Sequence, residues 1–304
     1  MQEDHLRKGQ EVPFHWSVLA GCASGLSARF VTAPLDTVKI RFQLHLANEA
    51  SQGGIFSVVR SIVRQEGMRA LWKGNVPAAA MYILYGSTQF GAFSTFNKAL
   101  ADNQWPAQIH SCVVGALAGS CSAMTSYPFD VLRTRFVANH DKALATMLGT
   151  TRSILRHEGF RGFFRGVSSS IVSIGIASSS MFATYESIKI FCEQSPSKDS
   201  MPIKVLESSA SVLAGLFSKT LVFPIDTIRK RFQVVNSQQL DYLSQHNEAY
   251  SAYKSTNFTQ LARRVVQKEG FLALYRGFTL SLVKSIPSTV VSIGVYEWTL
   301  RQMR

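Results

Sequence analysis

The chain has 304 residues, of which 46% are apolar and only 17% charged, where about 25% charged is usual for a soluble domain, so a disordered chain is excluded. The formal net charge of +13 suits nucleic acid, an anionic membrane or an anionic substrate, and it does not choose among them. Cys22, Cys112, Cys121 and Cys192 lack the paired spacing of a zinc site or a disulfide framework, so they read as small buried side chains and no metal is expected.

Met1 to Pro13 is a polar segment with no apolar h-region and with acids among its bases, so no cleaved targeting peptide is expected there. An apolar stretch from Trp16 to Leu35 then ends in Pro34-Leu35-Asp36-Thr37-Val38-Lys39-Ile40-Arg41. The polar amphipathic segment Phe56 to Gln65 leads into Glu66-Gly67 and Trp72-Lys73-Gly74, which opens a second apolar stretch, Val76 to Phe93. The same order returns. Ile109 to Phe129 ends in Pro128-Phe129-Asp130-Val131-Leu132-Arg133-Thr134-Arg135, and Glu158-Gly159 with Phe164-Arg165-Gly166 opens Val167 to Tyr185. Val205 to Ile225 ends in Pro224-Ile225-Asp226-Thr227-Ile228-Arg229-Lys230-Arg231; after the amphipathic segment Leu261 to Lys268, Glu269-Gly270 with Tyr275-Arg276-Gly277 opens Phe278 to Tyr296. Two linked motifs in one order, three times over, mark an internal triplication with repeats over 14–104, 105–200 and 201–304. The third connecting loop is longer, and Asn236 to Tyr253, rich in Ser, Gln and Tyr, reads as an insertion.

Each apolar stretch approaches the ~20 residues that a spanning helix needs. The expectation is an all-α membrane protein with two transmembrane helices per repeat and short amphipathic helices on one membrane face. A soluble helical bundle is the alternative, and the near absence of carboxylates within the stretches speaks against it. Small-residue spacings at equivalent places, Gly21-x-x-x-Gly25, Gly115-x-x-x-Gly119 and Ser211-x-x-x-Gly215, suit close helix packing.

Pro34, Pro128 and Pro224 each remove a backbone hydrogen bond and should kink their helices. Asp36 with Lys39, Asp130 with Arg133 and Asp226 with Arg229 are three residues apart and share a helical face. Three such helices around an axis can pair these charges between repeats. Charges at membrane depth are costly unless paired and mark pathways. The pairs are either permanent clamps or a ring that opens and closes, and the second leaves a cavity reachable from one side at a time.

From Trp16 to Arg301 the paired, triplicated signature resembles the mitochondrial carrier family. The resemblance implies six transmembrane helices with pseudo-threefold symmetry, a multi-pass place in the mitochondrial inner membrane, and a matrix-side gate of salt bridges among Asp36, Lys39, Asp130, Arg133, Asp226 and Arg229. It also implies that Gln43 and Gln233 brace those bridges, a brace that Val137 denies to repeat 2. Of the family's cytosolic aromatic-acid-x-x-basic pattern only Tyr185-Glu186-Ser187-Ile188-Lys189 is complete; Leu300 takes the basic slot after Tyr296-Glu297, and Asn97 that after Phe93-Ser94. A single cytosolic pair, Lys189 with Glu297, is what remains. Inner-membrane lipid such as cardiolipin is the expected surrounding, and a monomer the expected state.

Where the repeats differ, an asymmetric cargo can be held. Five residues before the motif prolines stand Arg29, Ala123 and Lys219, and seven after the motif glycines stand Met81, Ser173 and Lys284. Arg29, Lys219 and Lys284 project from apolar helices with no acid one turn away, as suits a phosphate-bearing anion; each can instead snorkel to the interface. Met81, Tyr82, Tyr85 and Gln89 add aromatic and polar groups, and Ser173, Ile174, Ser178 and Ser179 small surfaces and hydroxyls. Tyr82 and Tyr85 can stack on a heterocycle or simply pack.

Tyr85-Gly86-Ser87-Thr88-Gln89-Phe90, His110 to Gly119 and Ser126 to Arg135 are similar to a fungal branch of that family whose cargo is thiamine pyrophosphate. This implies import of thiamine pyrophosphate by exchange with nucleotides or other phosphorylated counter-substrates, with the compound as cargo and no bound cofactor. Another phosphorylated cofactor or a nucleotide is the alternative cargo, since it needs the same cations. A scaffold on this fold would have no need of complementary charges in every repeat. An enzyme would need a nucleophile elbow, His-Glu-x-x-His or a Walker loop, and the chain has none. A nucleic-acid binder would spread its charge over a soluble surface.

Overall fold

The computed structural model describes residues 14–44, 54–103, 105–139, 146–195, 200–234 and 257–302, so the N-terminal segment and the expected insertion from Asn236 lie outside the described residues. Helices account for nearly all of them. Repeat 1 contributes α1 (Phe14–Leu44), α2 (Gly54–Glu66) and α3 (Asn75–Ala99); repeat 2 contributes α4 (Ala107–Ala138), α5 (Met147–His157) and α6 (Val167–Gln194). Repeat 3 contributes α7 (Met201–Val234), α8 (Phe258–Glu269), α9 (Phe278–Val283) and α10 (Ser285–Gln302). The long helices form a ring: α1 touches α3, α3 packs on α4, α4 and α7 on α6, α7 on the Phe271–Tyr275 turn that leads into α9, and α1 returns to pack on α10.

By length and apolar composition Phe160–Gln194, Met201–Val234 and Phe271–Gln302 are each able to cross a membrane. The other three long helices occupy equivalent places in the ring. Large apolar side chains such as Phe30, Ile83, Phe90, Val212, Phe217 and Ile293 are exposed, as a lipid-facing surface requires. The same circumstance corrects the expectation for the cysteines. Cys192 is buried, Cys112 half-buried, and Cys22 and Cys121 exposed, because in a membrane protein an apolar stretch need not be covered by other protein.

The short helices obey one rule. α2 buries Val58 and Ile62, α5 Thr150 and Ile154, and α8 Leu261 and Val265, each pair four residues apart and so on one face. These pack against the residue four beyond the motif proline, which is Val38, Leu132 or Ile228, and against Leu71, Phe163 or Leu274 of a short 3-10 turn. Each amphipathic helix is thereby fastened beneath the long helix that opens its own repeat, α1, α4 or α7. Gly74, Gly166 and Gly277 end the connecting turns with φ of 79, 87 and 83°, a left-handed conformation that favours glycine. A Cβ on Gly74 would stand 2.8 Å from Val137.

Pro34, Pro128 and Pro224 lie within α1, α4 and α7. Pro34 frees the carbonyl four residues back, that of Phe30, and the Trp72 indole donates to it at 3.0 Å. The last span is broken at Lys284, between α9 and α10, where Pro287 offers no N–H to the Val283 carbonyl. Of the small-residue spacings only Gly119 meets a neighbour, with a Cβ there falling 3.1 Å from Ile174. Gly21, Gly25, Gly115 and Gly215 have open space around them, so their expected role in close helix packing is corrected.

Candidate functional site

At the end where the motifs lie, two layers of charge close the ring. The layer nearer the short helices repeats threefold. Arg41 grips both oxygens of Glu66, Arg135 those of Glu158 and Arg231 those of Glu269. Each acid also takes a second cation: Lys73 on Glu66 at 3.0 Å, Arg165 on Glu158 at 3.7 Å and Arg276 on Glu269 at 3.0 Å. Burial holds the Lys73 ammonium below its ordinary range, and Glu66 beside it opposes that shift. Meanwhile each arginine reaches the next repeat through Nε: Arg41 donates to the Val137 carbonyl, Arg135 to that of Gln233 and Arg231 to that of Gln43, at 2.8–2.9 Å. Since the acceptor is backbone, Val137 serves as well as glutamine. Ile40, Leu44, Val137, Ala138 and Val234 fill the centre as one buried apolar plug.

The second layer holds the motif aspartates and departs from threefold symmetry. Asp36 pairs with Arg133 of repeat 2 at 2.9 Å, as the sequence suggests. It also takes Arg29 at 2.6 Å and Lys284 at 2.6 Å. Asp130 pairs with Arg229 of repeat 3 at 4.0 Å, and Lys230, which the motif does not single out, holds it more closely at 2.7 Å. Arg229 also donates to Ser170 Oγ at 2.6 Å and leans towards Asp226, 3.7 Å away on its own helix. The expected Lys39–Asp226 pair is not closed within 4 Å. Lys39 donates to Ser281 Oγ at 3.1 Å and lies 5.2 Å over the Phe223 ring, while the Asp226 side chain remains 38% exposed.

The two glutamines also differ. Gln233 Nε2 donates to Asp130 at 2.9 Å and to the Tyr127 hydroxyl at 3.2 Å, so it braces the Asp130–Lys230 pair. Gln43 donates to Thr227 Oγ1 at 3.2 Å and touches no motif carboxylate. Its expected role is corrected accordingly, because the pair it should support is not made.

Of the cargo candidates, Arg29 carries Tyr82 over its guanidinium at 4.7 Å. Lys219 donates to the Ser281 carbonyl at 2.9 Å. These cations are therefore not free, as spacing along a single helix suggests; acids and carbonyls reach them from one turn further or from other helices. Two buried polar atoms at these positions, Arg29 Nε and Ser173 Oγ, have no partner among the described residues. Ile174 and the Tyr85 hydroxyl both border the Gly119 position, 3.1 and 3.7 Å from where a Cβ would stand. Met81 and Gln89 are half-buried on α3.

At the opposite end the expected Lys189–Glu297 pair is not made. Lys189 lies over its own neighbour Tyr185 at 5.5 Å, and Glu186 receives only Gln108 at 3.5 Å. One end is thus latched, while at the other α6 and α10 are not joined through Lys189 and Glu297.

The sequence reading missed the arginine–glutamate layer although both halves of it stand in the repeated motifs. It missed Lys230 too, despite a usable signal: repeats 1 and 2 carry Ile40 and Thr134 at that place.

A sequence profile of the family described as "Mitochondrial carrier protein" matches residues 10–104, 104–195 and 204–304. Among similar curated proteins, one from Eremothecium gossypii is 46% identical over 299 residues, covering 98% of this chain and 92% of the relative. One from Kluyveromyces lactis is 43% identical over 303 residues, covering 99% and 95%. One from Saccharomyces cerevisiae is 42% identical over 309 residues, covering 100% and 98%. All three are named "Mitochondrial thiamine pyrophosphate carrier 1".

Proposed function

We propose that this chain, which belongs to the mitochondrial carrier family, imports thiamine pyrophosphate across the mitochondrial inner membrane into the matrix in exchange for nucleotides or other phosphorylated compounds. The observation that carries this reading is that Arg29 and Lys284, from repeats 1 and 3, converge on one anion at 2.6 Å each, with the Tyr82 ring against Arg29. An anion of higher charge than a carboxylate suits the cations, and an aromatic neighbour suits a ligand that joins a diphosphate to two rings. The names of the full-length relatives support the same cargo.

In this reading the latched end faces the matrix, and Asp36, Arg133, Asp130, Lys230 and Gln233 form its gate, with Lys39, Asp226, Arg229 and Gln43 completing it along the cycle. Lys189 with Glu186 and Glu297 forms the weaker cytosolic counterpart. Arg29, Lys219 and Lys284 hold phosphate; Met81, Tyr82, Tyr85, Gln89, Ser173 and Ile174 receive the rings. Binding offsets the cost of breaking the gate, so a fitting ligand lowers the barrier to conversion. The carrier works as a monomer among lipids such as cardiolipin, and it transforms no substrate.

The test is uptake of labelled thiamine pyrophosphate into liposomes holding the purified carrier and preloaded with nucleotide. Uptake that requires the internal nucleotide supports the reading. Exchange of nucleotides that excess thiamine pyrophosphate leaves untouched would favour a carrier of another phosphorylated compound.

A further inference from the structure

We propose that Asp36 is an internal stand-in for the cargo's phosphate: in the carrier without cargo its carboxylate occupies the cations of the cargo site and latches repeat 3 to repeat 1, and an arriving diphosphate displaces it. The inference rests on the cargo site proposed above.

Three observations carry it. First, Asp36 Oδ1 takes Lys284 Nζ at 2.6 Å, and Oδ2 takes Arg29 Nη1 at 2.6 Å and Arg133 Nη2 at 2.9 Å. One carboxylate faces three cations, so two positive charges are left over for a ligand of higher charge. Arg29 Nε, buried and unpartnered beside this cluster, is a donor that a larger anion can satisfy and the carboxylate does not.

Second, the other motif aspartates are not held in this way. Asp130 is gripped by Lys230 at 2.7 Å and Gln233 at 2.9 Å, neither of them at a cargo position. The residue equivalent to Arg29 in repeat 2 is Ala123. Among the described residues Asp226 makes one ion pair, with Arg229 of its own helix 3.7 Å away, and it feels Lys219 and Lys39 only at longer range. Among the described residues, direct contact between a gate aspartate and the cargo cations is thus made at Asp36 alone.

Third, the seam between repeats 3 and 1 lacks the pair that symmetry would supply. Lys39 turns to Ser281 Oγ and the Phe223 ring, and Lys284 bridges the seam to Asp36 in its place. Lys284 stands at the junction of α9 and α10, where a proline has removed a backbone bond and the helix can bend. A ligand that draws Lys284 and Arg29 away from Asp36 therefore binds and unlatches in one step. Binding energy is then spent on the conversion, as obligatory exchange requires.

The experiment uses the full-length purified carrier with inorganic pyrophosphate as the probe, its binding measured by calorimetry and exchange measured separately in liposomes. Asp36→Asn frees the cations from their internal competitor and should tighten pyrophosphate binding by about tenfold, equivalent to about 1.4 kcal/mol, while exchange falls. Asp130→Asn removes an equivalent gate carboxylate with no cargo cation on it, so it lowers only the cost of opening and its gain in affinity should be well below that of Asp36→Asn. Unchanged or weaker binding by Asp36→Asn, or an equal gain in Asp130→Asn, would overturn the proposal. If Asp36→Asn does not fold, Ser281→Cys in the otherwise native chain gives a second reading. Saturating pyrophosphate should speed its alkylation as the seam opens, and an unaltered rate counts against the latch. A wild-type carrier that binds pyrophosphate and not thiamine pyrophosphate would remove the cargo assignment and leave the latch to be judged on the same data.

Discussion

Two charged layers close the same end of this carrier, about 7 Å apart along α1 between Asp36 and Arg41 at 1.5 Å per residue, and they follow different rules. In the arginine–glutamate layer each repeat does the same thing: a guanidinium holds its own repeat's acid and donates to the next repeat's backbone. In the aspartate layer no two repeats agree, because Asp36 has three cations, Asp130 one close lysine and a glutamine, and Asp226 a single neighbour on its own helix. Contacts common to every repeat can serve only what the repeats do together, which is to hold the short helices and to close. Asymmetric contacts can sense an asymmetric ligand.

The comparison breaks most visibly at Arg135. Its side chain is 1% exposed, and Arg135→Ala leaves Glu158 with only Arg165 at 3.7 Å. Breaking a buried pair from one side costs about 3–5 kcal/mol, so the purified variant should lose a large part of its thermal stability and exchange no cargo. A midpoint equal to wild type would show that the regular layer is not what holds the fold. Lys284→Ala is the matched substitution in the irregular layer. Asp36 keeps Arg29 and Arg133, so the thermal midpoint should stay close to wild type while exchange is abolished. A normal exchange rate would remove Lys284 from the cargo site.

Val137→Gln tests whether repeat 2 merely lacks a brace. If symmetry were the aim, the substitution should strengthen the gate by copying Gln233. Val137, however, is fully buried in the apolar plug and faces Gly74, and the aspartate at this seam, Asp36, is already satisfied by Arg133, Arg29 and Lys284. An amide without a partner there costs about 1–3 kcal/mol, so the midpoint should fall by several degrees. A raised midpoint would show that the departure at this place is accidental.

The fold was largely legible because a triplicated chain states its own architecture three times. The prolines, the Glu-Gly turns and the amphipathic spacing all fell where the sequence put them, and Asp36–Arg133 formed as its motif suggests. What stayed hidden were contacts between helices distant in sequence. Lys284 has no acid one turn away on its own helix, yet it meets Asp36 on α1. Lys230 was passed over because the motif directs attention to Arg229, one residue earlier. Side-chain reach decided both cases, and spacing along one helix carries no information on it.

The gentlest substitution concerns a place where the repeats differ outside both layers. Trp72 donates its indole N–H to the Phe30 carbonyl that Pro34 leaves free, and its ring lies 5.8 Å from that of Phe30. The equivalent residues, Phe164 and Tyr275, have no indole. Trp72→Phe keeps the ring contact and loses one hydrogen bond, with a net worth of about 1 kcal/mol. The expected outcome is a midpoint lower by a few degrees and exchange near the wild-type rate, since Trp72 touches neither the aspartate layer nor the cargo cations. Exchange reduced as far as in Lys284→Ala would mean that the bend at Pro34 itself governs access, and the division between a regular layer for closure and an irregular one for cargo would have to be redrawn to include it.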